Sequence, residues 1–132
     1  LTLEYPDFII ATSEWFKMTD AHPFFDHVGD HADELETSVM MHYHPELVNL
    51  SEAGQGDSRG FGIKALSEGK VWIPRNWAKV SRDTGIGSPA KATAEKGARF
   101  AAAVVEKYVE FLADFARVET IDDLYEPQSH NE

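Results

Sequence analysis

The feature that most constrains the fold is a run of apolar residues at helical spacing in the last third of the chain. Ser88 and Pro89 precede this run and suit the N-cap and the first position of a helix. The pattern predicts a long helix that reaches about Ala116. Its apolar stripe consists of Ala94, Ala98, Ala101, Val105, Tyr108, Leu112 and Phe115.

Two short apolar segments read as strands. The run FIIAT (Phe8–Thr12) is rich in β-branched residues and predicts a strand buried on both faces, as in a parallel sheet. The run KVWIP (70–74) predicts a second short strand that ends at Pro74. Strand, loop, helix, loop, helix is the order of the back half of an α/β unit. Either the chain supplies an edge to a larger sheet, or strands are missing at its start.

A second helix is expected from Ala32 or Asp33 to about Tyr43, with carboxylates in its first turn and Pro45 after its end. The following stretch, 51–70, holds five glycines and predicts a long loop. Long loops in compact domains are often functional.

Composition narrows the class of protein. The 132 residues fit one domain, and a net charge of −11 argues against binding to a nucleic-acid backbone. There is no cysteine, which excludes disulfides and thiolate metal sites and fits a cytoplasmic location. We find no apolar stretch near the length of a membrane span. Residues 119–132 form an acidic polar tail that we expect to be flexible, and Leu1–Tyr5 reads as a helix end.

The segment DHVGDHADELETS (26–38) concentrates ionisable groups beside an apolar run. His31 falls at the start of the predicted helix, where free backbone N–H groups can hold an anion or a polarised carbonyl, and an imidazole can transfer protons near neutral pH. The alternative is a helix-end residue that faces water. Glu36 lies beside the apolar face, where a carboxylate needs a hydrogen-bond or charged partner. It therefore has either a purely structural role or a role in orienting a site.

Metal binding by this chain alone is not expected. Five histidines fall within 23 residues, but His42 and His44 lie about 15 Å from His31 along a helix, and no standard ligand spacing occurs. The three tryptophans suit a core or an interface, with Trp15 the exception because it follows the predicted strand at the end where ligands gather.

Two ordered motifs resemble the creatininase family of amidohydrolases. In DHADELETSVMMHYHPELVNL (30–50), Asp30, His31, Ala32, Glu34, Glu36, Thr37 and Ser38 match the family segment, as do Pro45, Leu47 and Val48. DTGIGSPAKATAEKG (83–97) is similar to the family's turn and helix start, and SEWF (13–16) to a segment with an aromatic residue near the substrate.

The resemblance implies a three-layer α/β creatininase-like fold with a mostly parallel sheet, of which residues 1–118 would be the C-terminal half. It implies a homo-oligomer with a dinuclear zinc or manganese centre, whose ligands we expect in an N-terminal half that this chain lacks. The reaction would be hydrolysis of a non-peptide C–N bond in a small amide, often cyclic, or in a formamide. Creatinine, a pterin or flavin precursor nucleotide and a peptide-derived cofactor are substrate types within the family.

The resemblance also implies residue roles. His31 and Glu36 would be catalytic, and the residues expected to contact the substrate are Trp15, His27, Val28, His31 and Glu34. Two departures stand out. Asp33 replaces a family glycine and would narrow or recharge the site. His27 and Val28 stand where creatinine-hydrolysing members have a Trp-Asp pair, which puts creatinine in doubt.

Two other readings remain open from the sequence. One is a non-catalytic α/β association module or an orphaned half-domain. The other is a small histidine-based metal carrier.

Overall fold

The computed structural model describes residues 4–5 and 8–126, which form helices joined by long irregular connections. This part of the chain contains four α-helices, namely α1 (Glu34–Tyr43), α2 (Lys64–Ser67), α3 (Trp77–Val80) and α4 (Ala94–Phe115). Short 3₁₀ segments lie at Trp15–Lys17, Pro45–Leu47, Leu50–Glu52 and Ile121–Leu124. Among the described residues, no helix has both the length and the apolar character needed to cross a membrane.

The predicted α/β fold with a mostly parallel sheet is wrong. The described residues contain no sheet, and their only strand-like pairings are two isolated antiparallel bridges, His31 with Ile86 and Ser58 with Ser81. Phe8–Thr12 and the 70–74 segment are irregular and exposed. An apolar run forms a strand only where another extended segment takes up its backbone hydrogen bonds, and no described segment pairs with these two.

Helix α1 matches its prediction closely. It begins at Glu34 after the N-cap residue Asp33, and it ends at Tyr43, two residues before Pro45. Leu35 is buried, as expected for the apolar face, whereas Tyr43 is exposed.

Helix α4 has the predicted end but a different start. Ser88 is not its N-cap, because Pro89 opens a separate turn closed by a hydrogen bond from the Ala92 N–H to the Pro89 carbonyl (2.9 Å). The helix begins at Ala94, and the Thr93 hydroxyl accepts the free N–H of Lys96 (3.2 Å).

The buried face of α4 is rotated from the predicted stripe. Ala101 of the predicted stripe is buried, but so are Phe100 and Val104, which lie outside it, whereas Val105 and Leu112 of the stripe are exposed. The spacing of apolar residues along α4 is compatible with burial of either face. In the structure, the face that carries Phe100 is the buried one.

The chain divides into two compact units, one made of Leu1–Thr19 with Ala103–Glu132 and the other of Asp20–Ala102. In the second unit, the rings of Phe24 and Phe25 pack edge-on against Phe100, with centroids 5.4 and 5.2 Å away. In the first unit, the hydroxyls of Ser13 and Tyr108 form a hydrogen bond of 2.7 Å.

Helices α1 and α4 touch through small residues. The Ser38 hydroxyl accepts the N–H of Thr93 (3.1 Å), and Gly97 lies so close that a Cβ there would be 1.9 Å from the Ser38 carbonyl oxygen. This contact fixes α1, and with it the charged segment at its head.

The 51–70 stretch is mostly loop, as predicted, and α2 interrupts it. The predicted helix end at Leu1–Tyr5 lies outside the described residues except for Glu4 and Tyr5. The last six residues of the acidic tail, 127–132, also lie outside them.

Candidate active site at the head of helix α1

The chain enters α1 through a turn that is fastened to the 83–89 loop. The Ile86 carbonyl accepts the N–H groups of Asp30 (2.8 Å) and His31 (3.2 Å), and the Ile86 N–H returns a bond to the His31 carbonyl (2.8 Å). Gly29 makes this approach possible, because a Cβ there would lie 2.4 Å from the Ile86 oxygen. The backbone of His31 is therefore held on both sides.

Asp33 caps the helix and is buried. Its two carboxylate oxygens accept the N–H of Glu36 (2.9 Å) and the N–H of Gly29 (2.6 Å). These two bonds hold the carboxylate at the helix start, and its effect in narrowing or recharging the site stays a prediction. Asp followed by Glu three residues later is a capping pattern that could have revealed this role.

Glu36 reaches back over the turn toward His31. Its Oε2 accepts the N–H of Ala32 (2.6 Å) and lies 3.6 Å from Nδ1 of His31. Ala32 has a φ of 48°, in the left-handed region that costs an alanine about 1 kcal/mol. The turn thus presents an imidazole, about half exposed, with a fixed carboxylate beside it.

Two residues that the sequence had not pointed to complete the surroundings of His31. The Trp77 ring lies 4.9 Å from the imidazole, centroid to centroid, at a tilt of 53°. The Arg75 guanidinium lies over the same indole at 4.9 Å and donates to Oδ1 of Asp30 at 2.7 Å. Arg75 and Asp30 are 45 residues apart, so no local pattern linked them.

Glu34 faces inward. Its side chain is fully buried, one oxygen pairs with the Lys96 ammonium, and the other accepts the N–H of His27 at 2.8 Å. Burial raises the pKa of Glu34, but the bonds from Lys96 and from the backbone N–H groups of His27 and Asp26 outweigh it and lower the pKa overall. A role for Glu34 in substrate binding stays a prediction.

Lys96 also binds the exposed carboxylate of Asp26, with Nζ 3.1 Å from Oδ2. The hydrogen bond to Glu34, followed by the bond to Asp26, raises the pKa of Lys96, and the same ammonium lowers the pKa of Asp26. This network joins α4 to the segment that leads into His31.

A cavity of about 340 Å³ lies along α1, next to the turn that carries His31. Glu36 and Thr37 line it, together with Asp83 from the loop that holds Ile86. The N–H groups of Gly56 and Gly85 donate to the Asp83 carboxylate, at 3.2 and 3.1 Å, and lower its pKa. A space of this size is at the lower end for small-molecule sites.

The remaining predicted substrate contacts are distributed between the two units. His27 and Val28 are exposed on the segment that precedes the His31 turn. Trp15 belongs to the other unit, where it packs edge-on against Phe16 at 5.9 Å. Of the predicted site residues, only Trp15 belongs to a different unit from His31.

The described residues do not fit a metal centre. Within residues 4–5 and 8–126, no three His, Asp or Glu side chains come together as a ligand set. An imidazole with a carboxylate beside it is an arrangement that can accept and release protons, and the catalytic roles of His31 and Glu36 stay predictions.

Comparison with known proteins identifies the class. The family model Creatininase, described as creatinine amidohydrolase, matches residues 4–112, and the chain therefore belongs to the creatininase family. The expected resemblance is confirmed. No curated protein sequence matches the chain.

A solved structure gives a more particular relative. It is the crystal structure of a "Putative creatinine amidohydrolase" from Bacteroides fragilis, 49% identical, with a TM-score of 0.84 over 95% of this chain. The chain spans 48% of the length of that protein.

Proposed function

We propose that the protein is an amidohydrolase that cleaves a C–N bond in a small, non-peptide amide or formamide. Family membership and the relative from Bacteroides fragilis support an amidohydrolase. The single observation that carries the proposal is the arrangement at the head of α1, where an exposed imidazole is fixed through its backbone and faces a carboxylate oxygen at 3.6 Å.

In this proposal His31 moves the proton that the reaction requires. Water adds to the amide carbonyl and loses a proton to the imidazole, which delivers it to the nitrogen as the C–N bond breaks. The products are a carboxylic acid and an amine, or, for a cyclic amide, one ring-opened molecule that carries both groups. The Glu36 carboxylate stabilises the imidazolium between the two transfers.

A dinuclear zinc or manganese centre remains a separate proposal. The described residues do not fit it, and so no step here is assigned to a metal. Metal analysis of the purified protein by mass spectrometry tests it directly. Homo-oligomerisation is likewise a proposal, and light scattering coupled to size exclusion tests it.

The substrate is expected to be small. The cavity of about 340 Å³ that Glu36 lines has room for a molecule of roughly the size of a nucleobase or a cyclic amide. His27 and Val28 replace the Trp-Asp pair of creatinine-hydrolysing members, so we propose that a compound other than creatinine is preferred.

The test is a hydrolysis assay with a panel of cyclic amides, formamides and creatinine, followed by the His31→Ala variant on the best substrate. We expect kcat to fall roughly 100-fold or more, as for a positioned acid–base group. His42→Ala is the matched control, since His42 is an exposed imidazole near the other end of α1. Equal activity of both variants would contradict the role of His31, and hydrolysis of no compound in the panel would favour the non-catalytic module instead.

A further inference from the structure

The imidazole of His31 contacts an aromatic ring as well as the Glu36 carboxylate. The Trp77 indole lies 4.9 Å from the imidazole centroid and is itself only partly exposed. A tilted ring contact at this distance restricts rotation of the smaller ring. The rotation of the His31 side chain is therefore restricted by an indole and by a carboxylate. Its backbone is fixed separately, by the bridge to Ile86.

The indole is in turn held in place by a cation. The Arg75 guanidinium lies 4.9 Å from the Trp77 ring, a distance typical of a cation–π contact. The same guanidinium donates to Asp30, the residue directly before His31, at 2.7 Å. Asp30, Arg75, Trp77 and His31 thus form a closed ring of contacts, which we call the His31 clamp.

We propose that Trp77 is a positioning residue that holds the His31 imidazole in the orientation needed for proton transfer, and that Arg75 fixes Trp77 for this role. The proposal rests on the proposed function of His31. The clamp gives the 70–80 segment a role in the site. Of its two tryptophans, Trp72 is almost fully exposed, whereas Trp77 is less so because it contacts His31 and Arg75.

A positioning role has a specific kinetic consequence. If Trp77 acts through His31, removal of the indole lowers kcat and leaves KM within about twofold, because the imidazole is displaced rather than lost. A displacement of about 1 Å costs up to roughly 100-fold in rate. Once His31 is alanine, removal of Trp77 has nothing further to displace.

The experiment is a double-mutant cycle in the intact protein with Trp77→Ala, His31→Ala and the combined variant. We expect Trp77→Ala to lower kcat about 10-fold to 100-fold, and the double variant to match His31→Ala. Trp77→Phe retains an aromatic face and should recover most of the rate. Trp72→Ala is the control and should keep the wild-type rate. Losses in the single variants that multiply in the double variant would overturn the proposal.

A readout independent of activity separates this proposal from the function itself. The indole should shift the NMR signals of the His31 ring protons upfield, and Trp77→Ala should remove that shift while Trp72→Ala leaves it. An unchanged His31 spectrum in Trp77→Ala would refute the clamp. A normal rate in His31→Ala would instead refute the proposed function, whatever the spectrum shows.

Discussion

Oε2 of Glu36 lies 3.6 Å from Nδ1 of His31 while it accepts the N–H of Ala32 at 2.6 Å. The carboxylate is anchored to the backbone of the turn and is also near enough to stabilise a charge on the imidazole. A single side chain therefore links the geometry of the helix start to the chemistry proposed for the site.

Removal of the Glu36 charge should slow the reaction with little effect on the fold. Gln at this position can still accept the Ala32 N–H, but it cannot stabilise the imidazolium by charge. We expect Glu36→Gln to lower kcat about 10-fold, the effect typical of carboxylates that orient a functional imidazole. Glu46→Gln is the control, since Glu46 pairs with an exposed His44 beyond the other end of α1. Steady-state kinetics in which the two variants lose rate equally would contradict the role.

The buried ion pair between Lys96 and Glu34 should matter strongly for stability. Lys96→Met leaves the fully buried Glu34 carboxylate without its cation, and we expect a loss of about 3 kcal/mol in the free energy of unfolding. Lys107→Met, on the same helix, removes an exposed pair with Glu110 and should cost less than about 1 kcal/mol. Urea denaturation compares the two variants, and equal losses would show that Glu34 does not depend on Lys96.

Acid should destabilise the protein in part through Asp83. The N–H groups of Gly56 and Gly85 lower the pKa of Asp83 in the folded state, so the folded protein binds this proton less readily than the unfolded chain. Stability from Asp83 is complete above the ordinary pKa of about 4 and is lost as the pH falls toward the lowered value. Asp83→Asn should flatten the fall in the free energy of unfolding between about pH 5 and pH 3. An unchanged slope would rule out this contribution.

The contact between α1 and α4 should not tolerate a side chain at Gly97. A methyl group there would meet the Ser38 carbonyl oxygen, a backbone atom that cannot turn away. Although alanine favours a helix, we expect Gly97→Ala to destabilise the protein by about 1–3 kcal/mol. Gly62→Ala is the control, because nothing lies within 4 Å of a Cβ at Gly62. Thermal unfolding measures both, and a neutral Gly97→Ala would mean that the helices can separate at no cost.

Local signals explain what could be predicted from the sequence. The bounds of α1 follow from a carboxylate cap and a proline that lie within a few residues of the helix, and the end of α4 follows from its apolar spacing. The start of α4 was missed because Ser88 and Pro89 can also begin a separate turn.

Long-range pairings explain what could not be predicted. The strand at Phe8–Thr12 depended on partner segments that the described chain does not provide, and its composition could not reveal this. Lys96 and Glu34 are 62 residues apart, and Arg75 and Asp30 are 45 apart. Pairs so far apart in the sequence become visible only in the folded structure. His31 and Glu36, by contrast, were identified from a contiguous family motif.

The most direct measurement of the central claim is chemical rescue of His31→Ala on the best amide substrate. If His31 transfers the proton, kcat should fall roughly 100-fold or more, and added imidazole should restore part of the rate with saturation as it fills the vacated position. A His31→Ala protein that turns over at the wild-type rate would contradict the account.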